Sequence, residues 1–339
     1  MNTYTKLTKL SLTAALSLGC ITISSAVTRA DAHAPIGIMG DHTHSAGGWM
    51  VSYRHMHRQM NDLYQGSSKV GANLTDSGYM MTPREMTMDM DMLGIMYAPT
   101  DQLTLVLMTS YIQKEMTMNN AAGVEAMTME LGGMGDTSLT GMYQIHKTAN
   151  TRAHIGLGIS APTGATDKKV TSAPMPPAIG RDLPYPMQLG SGTMDFTPSV
   201  TYNHFIDQNW SWGAQLKTTL HTGENDGGYS LGDSLNFTTW AGRNVNRNFS
   251  VNARVNAKVW SGIEGAQTNG LHTLNPVFSS PADPASSGGT KLDAYMGVNY
   301  VSDCGVRAAL ELGKTLWQDL DGTQLGTDWS LNVGLQFAW

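Results

Sequence analysis

The 339-residue chain carries 21 Lys and Arg against 27 Asp and Glu, a formal net charge of −6, with 37 glycines and 2 cysteines. An acidic balance disfavours a nucleic-acid partner, and no stretch after the first 32 residues approaches the ~20 apolar residues that a spanning helix needs. A glycine-rich chain without long aliphatic runs suits one large β domain.

At the N-terminus, Lys6 and Lys9 precede an apolar run from Leu10 to Ile23, and small-residue sites follow at Ser24-Ser25-Ala26 and Ala30-Asp31-Ala32. This reads as a secretory signal peptide over residues 1–32, cut after Ala26 or Ala32. Cys20 has Ser17 where a lipidated cysteine wants an aliphatic residue. Loss of the signal leaves Cys304 as the one thiol, which excludes an intrachain disulfide in the mature protein. Residues 33–47 then form a short periplasmic segment. A cut after Ala32 would give His33 both an amine and an imidazole, a chelating pair for Cu(II).

From residue 48 to 339 the period is two. Twelve segments alternate, at residues 48–58, 86–98, 103–116, 135–146, 151–162, 192–205, 210–221, 234–242, 248–260, 291–301, 306–317 and 328–339. Their connections alternate too. Tight turns such as Pro99-Thr100-Asp101-Gln102 lie at one end, and longer stretches rich in Gly, Pro, Asn and Asp, such as residues 163–191, lie at the other. The last segment sets Trp329, Leu331, Val333, Leu335, Phe337 and Trp339 on one face, with small or polar residues on the other. A terminal aromatic strand, an even strand count and alternating connections predict an all-β fold: a single antiparallel barrel in the bacterial outer membrane, closed by pairing of residues 329–339 with 48–58. Its surroundings would be outer-membrane lipid and, during assembly, the barrel-insertion machinery.

The same parity predicts the lumen. Arg54, Asp89, Asp91, Lys114, Arg152, Asp195, Lys217, Arg254, Lys258, Asp293, Arg307 and Glu311, with His154, fall on polar faces. A charge facing lipid near the midplane costs ~2–4 kcal/mol, so segregation is expected. Seven basic against five acidic groups argues against strong ion selectivity. Twelve strands should leave a narrow passage that loops can plug.

Met88, Met90 and Met92 oppose Asp89 and Asp91 and so are expected to meet lipid. A second reading comes from soft thioether and imidazole ligands: His33, His42, His44, His55 and His57 crowd the first part of the mature chain, and Met56, Met116 and Met118 take the polar parity, which would suit copper. No cofactor is otherwise indicated. Enzyme signatures fail: after Ser234 of Gly232-Asp233-Ser234-Leu235 the sole histidine is His272, with Asn269 where an esterase needs aspartate. Gly313-Lys314-Thr315 has Ala308 where a phosphate loop needs glycine.

The mature chain resembles the outer-membrane family named for the meta-pathway of phenol degradation, commonly labelled a transporter. The resemblance rests on Ala34-Pro35-Ile36-Gly37, Met39-Gly40-Asp41-His42, Met96-Tyr97-Ala98-Pro99-Thr100-Asp101, Leu183-Pro184-Tyr185-Pro186-Met187, Gly223-Glu224-Asn225-Asp226 and Trp317-Gln318-Asp319-Leu320. It implies a barrel that passes small solutes, aromatic or poorly polar ones among them. The alternative is a barrel that binds copper-like metals or serves their efflux, using the Met and His side chains.

Overall fold

Strands form where large apolar side chains alternate with small or polar ones, and in the computed structural model, which describes residues 29–71, 79–120 and 122–339, they close into one barrel. The staves are β1 (Trp49–Gly66), β2 (Tyr79–Tyr97), β3 (Leu103–Asn119), β4 (Glu125–Met134 continued by Thr137–Lys147), β5 (Thr151–Ala161) and β6 (Asp195–Phe205). They continue through β7 (Trp210–His221), β8 (Ser234–Asn244), β9 (Phe249–Trp260) and β10 (Gly289–Val301). The final run, Val306–Ala338, folds back at Gly322, where φ is +66°. Residues 307–320 pair with β10 and residues 320–338 with β1, so the run supplies two staves, β11 and β12. The count is therefore twelve.

Closure is antiparallel, with Val51 opposite Phe337, Arg54 opposite Gly334 and Gln59 opposite Trp329. At this end Trp49 stacks on Trp339 with ring centroids 6.5 Å apart and lies 4.4 Å from Tyr97. The exterior rows, among them Leu105 and Leu107, Ile155 to Ile159, Val251 to Val259 and Val333 to Leu335, are exposed large apolar side chains of the kind a bilayer covers. No helix among the described residues is long and apolar enough to cross a membrane.

Three expectations are corrected. The first concerns β2. Leu93 and Ile95 are exposed while Met86, Met92 and Met96 are buried, so the methionine row points inward and Asp89 and Asp91 point outward. Met86 to Met92 and Leu93 to Tyr97 have opposite parity with no bulge between them, so one row had to leave the apolar side. Pairing decides it: Val51 is opposite Ile95 and Ile95 opposite Leu107, three exterior residues near the aromatic end. The outward carboxylates are matched from β1, where His57 Nδ1–H donates to Asp89 at 2.8 Å and His55 Nδ1–H donates to Asp91 at 2.9 Å. Tyr53 adds its hydroxyl to Asp91 at 2.6 Å.

The second correction concerns loops. Strands run further than their membrane-spanning parts: β1 has 18 residues and β2 has 19. The connections expected between segments 103–116 and 135–146 and between 306–317 and 328–339 are instead the ends of hairpins.

The third concerns residues 33–47. They do not lie outside in the periplasm. Ala30, Ala34, Ile36, Ile38 and Asp41 are buried, and the segment threads the lumen as a plug. Of the signal peptide expected over residues 1–32, residues 1–28 lie outside the described residues.

Candidate functional site

The plug enters at the end with the tight turns. Ser250 Oγ donates to Ala30 O at 3.0 Å and Ser211 Oγ to Asp31 O at 3.1 Å, which ties the start of the segment to β9 and β7. Arg307 Nη2 donates to Ala34 O at 2.5 Å while its Nη1 donates to Gln336 at 2.7 Å. Deeper in, Gln215 Nε2 donates to Met39 O at 3.0 Å, His154 Nε2–H to Gly40 O at 2.9 Å, and Asn203 Nδ2 to Asp41 O at 3.0 Å. The chain then returns, with Gly47 N–H donating to Ala98 O at 2.8 Å. Small residues make the room. A Cβ on Gly334 would stand 2.5 Å from Ile36, and one on Gly37 would stand 2.3 Å from Glu311 Oε2 and 2.7 Å from Arg254 Nη2.

That last contact seats the plug on the principal ion pair of the lumen. Arg254 donates through Nε and Nη2 to the two oxygens of Glu311 at 2.7 and 2.8 Å, and Asn332 donates to Glu311 at 2.9 Å. Tyr295 covers the guanidinium with its ring centroid 3.7 Å away. Both oxygens of Glu311 are thus engaged within the wall.

Within the plug, His33, Asp41 and His42 converge. Burial, then the neighbouring His42 and Arg307, hold the His33 imidazole well below its ordinary pKa, so it is neutral. Burial works to raise the Asp41 carboxyl, but its hydrogen bond from His42 and the nearby charges hold it well below the usual range. His44, 4.9 Å from His42 ring to ring, is pushed down to about 3 by burial first and His42 second.

Above the plug lies a chamber. One compartment of about 250 Å³ is lined by Arg58, Lys258, Lys291, Met60, Met86 and Trp260 among others, and an adjoining one of about 520 Å³ by Lys114, Lys258, Tyr185 and Gln188 among others. Register explains the cationic belt. Arg58 is opposite Met88 and Met88 opposite Lys114, while Lys258 is opposite Lys291 on the far wall. Lys291 meets Asp293 at 3.3 Å. Over the chamber lies a cap: Lys114 Nζ donates to Pro186 O at 2.7 Å, and Met81, Met86, Met116, Met118 and Met129 pack with Val170, Leu183 and Met187 of one loop and Leu271 and Phe278 of another.

The residues expected to line the lumen thus divide. Arg54, Asp195, Arg254, Asp293, Arg307 and Glu311 are buried in the interior, and Lys114, Lys217 and Lys258 line cavities within it. Arg152 lies over Phe205 at 5.2 Å beside the entrance, on the parity of the buried His154. Asp89 and Asp91 stand on the exterior. Of the metal candidates, His33, His42 and His44 come together in the plug, whereas His55 and His57 lie outside the barrel. Met56 faces inward, and Met116 and Met118 are buried in the cap as packing rather than as rim ligands. Missed by the sequence reading were Asp41, Arg58 and Lys291. Arg58 shares parity with Arg54, and Lys291 with Asp293, which is the signal that would have found them.

The family described as "Putative MetA-pathway of phenol degradation" matches residues 76–299. Among solved structures, an outer membrane channel from Pseudomonas putida F1 is similar with a TM-score of 0.63 at 13% identity, over 88% of this chain and 98% of that one. The transport unit of the autotransporter AIDA-I from Escherichia coli gives a TM-score of 0.51 at 10% identity, over 89% of this chain and 93% of that one. At these identities the likeness is one of fold. No curated protein matches the chain.

Proposed function

The chain belongs to the phenol-degradation family whose match spans β2 to β10, and from that premise we propose that it is an outer-membrane channel for small, partly apolar solutes, with anions favoured over cations. The observation that carries this reading is the chamber between plug and cap. Its walls combine Met60, Met86, Met116 and Trp260 with Arg58, Lys258 and Lys291. Apolar walls with a few placed charges are what a small-molecule site offers. An anion preference, rather than the near-balance read from sequence, is supported by the pairing of Asp89 and Asp91 with His57 and His55 on the exterior and of Glu311 with Arg254.

Passage requires the plug or the cap to shift, since each occupies part of the lumen. The reading assigns transport to the chain and no catalytic step. It also assigns the exterior row of β12, from Trp329 through Phe337 to Trp339, to recognition by the insertion machinery, in keeping with its aromatic side chains.

Reversal potentials in planar bilayers under a salt gradient test the charge preference, and flux of benzoate against benzylammonium into proteoliposomes tests the solute class. Chloride preference and faster benzoate entry are expected, both reduced in the Arg58→Gln/Lys258→Gln/Lys291→Gln variant. Equal entry of both probes, unchanged in the variant, overturns the reading.

A further inference from the structure

We propose that His33, Asp41 and His42 of the plug form a binding site for one divalent transition-metal ion of the imidazole-preferring kind, copper(II) or zinc(II). One donor atom from each of the three lies within 4.8 Å of the others. The hydrogen bonds leave one nitrogen of each imidazole free, while the Asp41 carboxylate accepts one bond on each oxygen, from His42 and from Ala34. His42 Nδ1–H donates to Asp41 Oδ1 at 2.8 Å, so Nε2 carries the lone pair, and that buried atom has no hydrogen-bonding partner. His33 Nδ1 is likewise buried without a partner, 3.9 Å from Asp41 Oδ2. The two rings meet edge to face with centroids 4.5 Å apart. His44 Nε2 is a third such nitrogen, on the ring next to His42. Buried polar atoms without partners are few in folded proteins, and several imidazole nitrogens gathered beside one carboxylate point to a cation.

The surroundings hold the donors in place. Asp41 Oδ2 accepts the Ala34 N–H at 3.0 Å, which folds residue 34 back onto residue 41. The same carboxylate fixes the orientation of the His42 ring through the bond from Nδ1–H. Arg307 and Arg54 are the neighbouring cations. Arg307 is directed to Ala34 O, Gln336 and Asn299, and the Asp41 charge opposes both. By contrast, the exterior histidines His55 and His57 already satisfy Asp89 and Asp91. A metal at the plug would fasten its inward turn to itself and stiffen it. The site does not depend on the channel reading.

The test uses the full mature protein folded in detergent, titrated with CuCl2 and with ZnCl2 by calorimetry, with bound metal counted after gel filtration. One ion per chain is expected. His33→Gln and His42→Gln should each weaken binding at least ~10-fold, and Asp41→Asn by ~10- to 100-fold. The His55→Gln/His57→Gln variant should bind as the wild type does, and heat-modifiable migration reports folding in every case. Wild-type protein loaded with copper(II) supplies a readout free of mutation: nitrogen hyperfine structure from at least two imidazoles supports the site. Oxygen-only coordination, no retained ion, or full binding in a folded His33→Gln/His42→Gln variant overturns it.

Discussion

Arg254 and Glu311 show how one pair of residues can set the shape of a lumen. Both are buried, joined by two hydrogen bonds, and the backbone of Gly37 rests against them with no space for a side chain. Removing one partner leaves the other charge buried and uncompensated, which costs ~3–5 kcal/mol. Glu311→Gln and Arg254→Gln should therefore each lower the unfolding free energy obtained from urea titration in detergent by an amount in that range, whereas Lys258→Gln, whose side chain faces the chamber, should barely move it. A Glu311→Gln protein as resistant to urea as the wild type would mean that the pair is not a structural lock. Gly37 makes a related case. Gly37→Val should expel the plug and raise single-channel conductance while leaving heat-modifiable migration intact, and unchanged conductance would argue that the plug does not limit passage.

At the scale of elements, the closing strand and the cap have separate tasks. β12 contributes its aromatic exterior and its register with β1, so losing Trp339, or exchanging Phe337 and Trp339 for Ser, removes the stacking on Trp49 and Phe337 at the rim with the tight turns. Assembly into the membrane should fall far more than after equal changes in residues 163–191. Quantitative surface labelling measures this, and normal display of the shortened chain would refute it. The cap is held by packing, with methionine thioethers filling the irregular space between strands and loops. Leu, Ile or Met to Ala in a core costs ~2–5 kcal/mol, so Met118→Ala, at a fully buried position, should loosen the cap by about that much. Faster protease cleavage within residues 163–191, with the barrel intact, is the expected sign.

The whole molecule is a tube filled from both ends, with a cationic chamber in between. Trimming residues 170–188 removes Leu183, Tyr185 and Met187 from the cap and the carbonyls that Lys114 Nζ binds. Conductance in planar bilayers should rise, and Lys114 should become available to strengthen anion preference. Trimming combined with Gly37→Val should raise conductance more than either change alone, since cap and plug obstruct different parts of one path in series. A trimmed channel with the conductance of the full one would place the limiting constriction elsewhere.

Alternation alone carried much of this. In β9, Phe249, Val251 and Val255 against Ser250, Asn252 and Arg254 could be assigned faces from the sequence, because a strand turns successive side chains to opposite sides and lipid rejects unpaired charge. Closure by residues 329–339 was legible for the same reason. β2 was not legible, because its two apolar rows have opposite parity and only the rungs shared with β1 and β3 decide which one faces lipid. The exterior partnership of His55 and His57 with Asp91 and Asp89 spans more than 30 residues and depends on that register. Residues 33–47 carry no strand period, so their path through the lumen follows from where Gly334, Ser250, Gln215 and Arg307 stand on four different staves. Local chemistry sets which side chains share a face; the curvature that brings distant faces around one axis sets what they enclose.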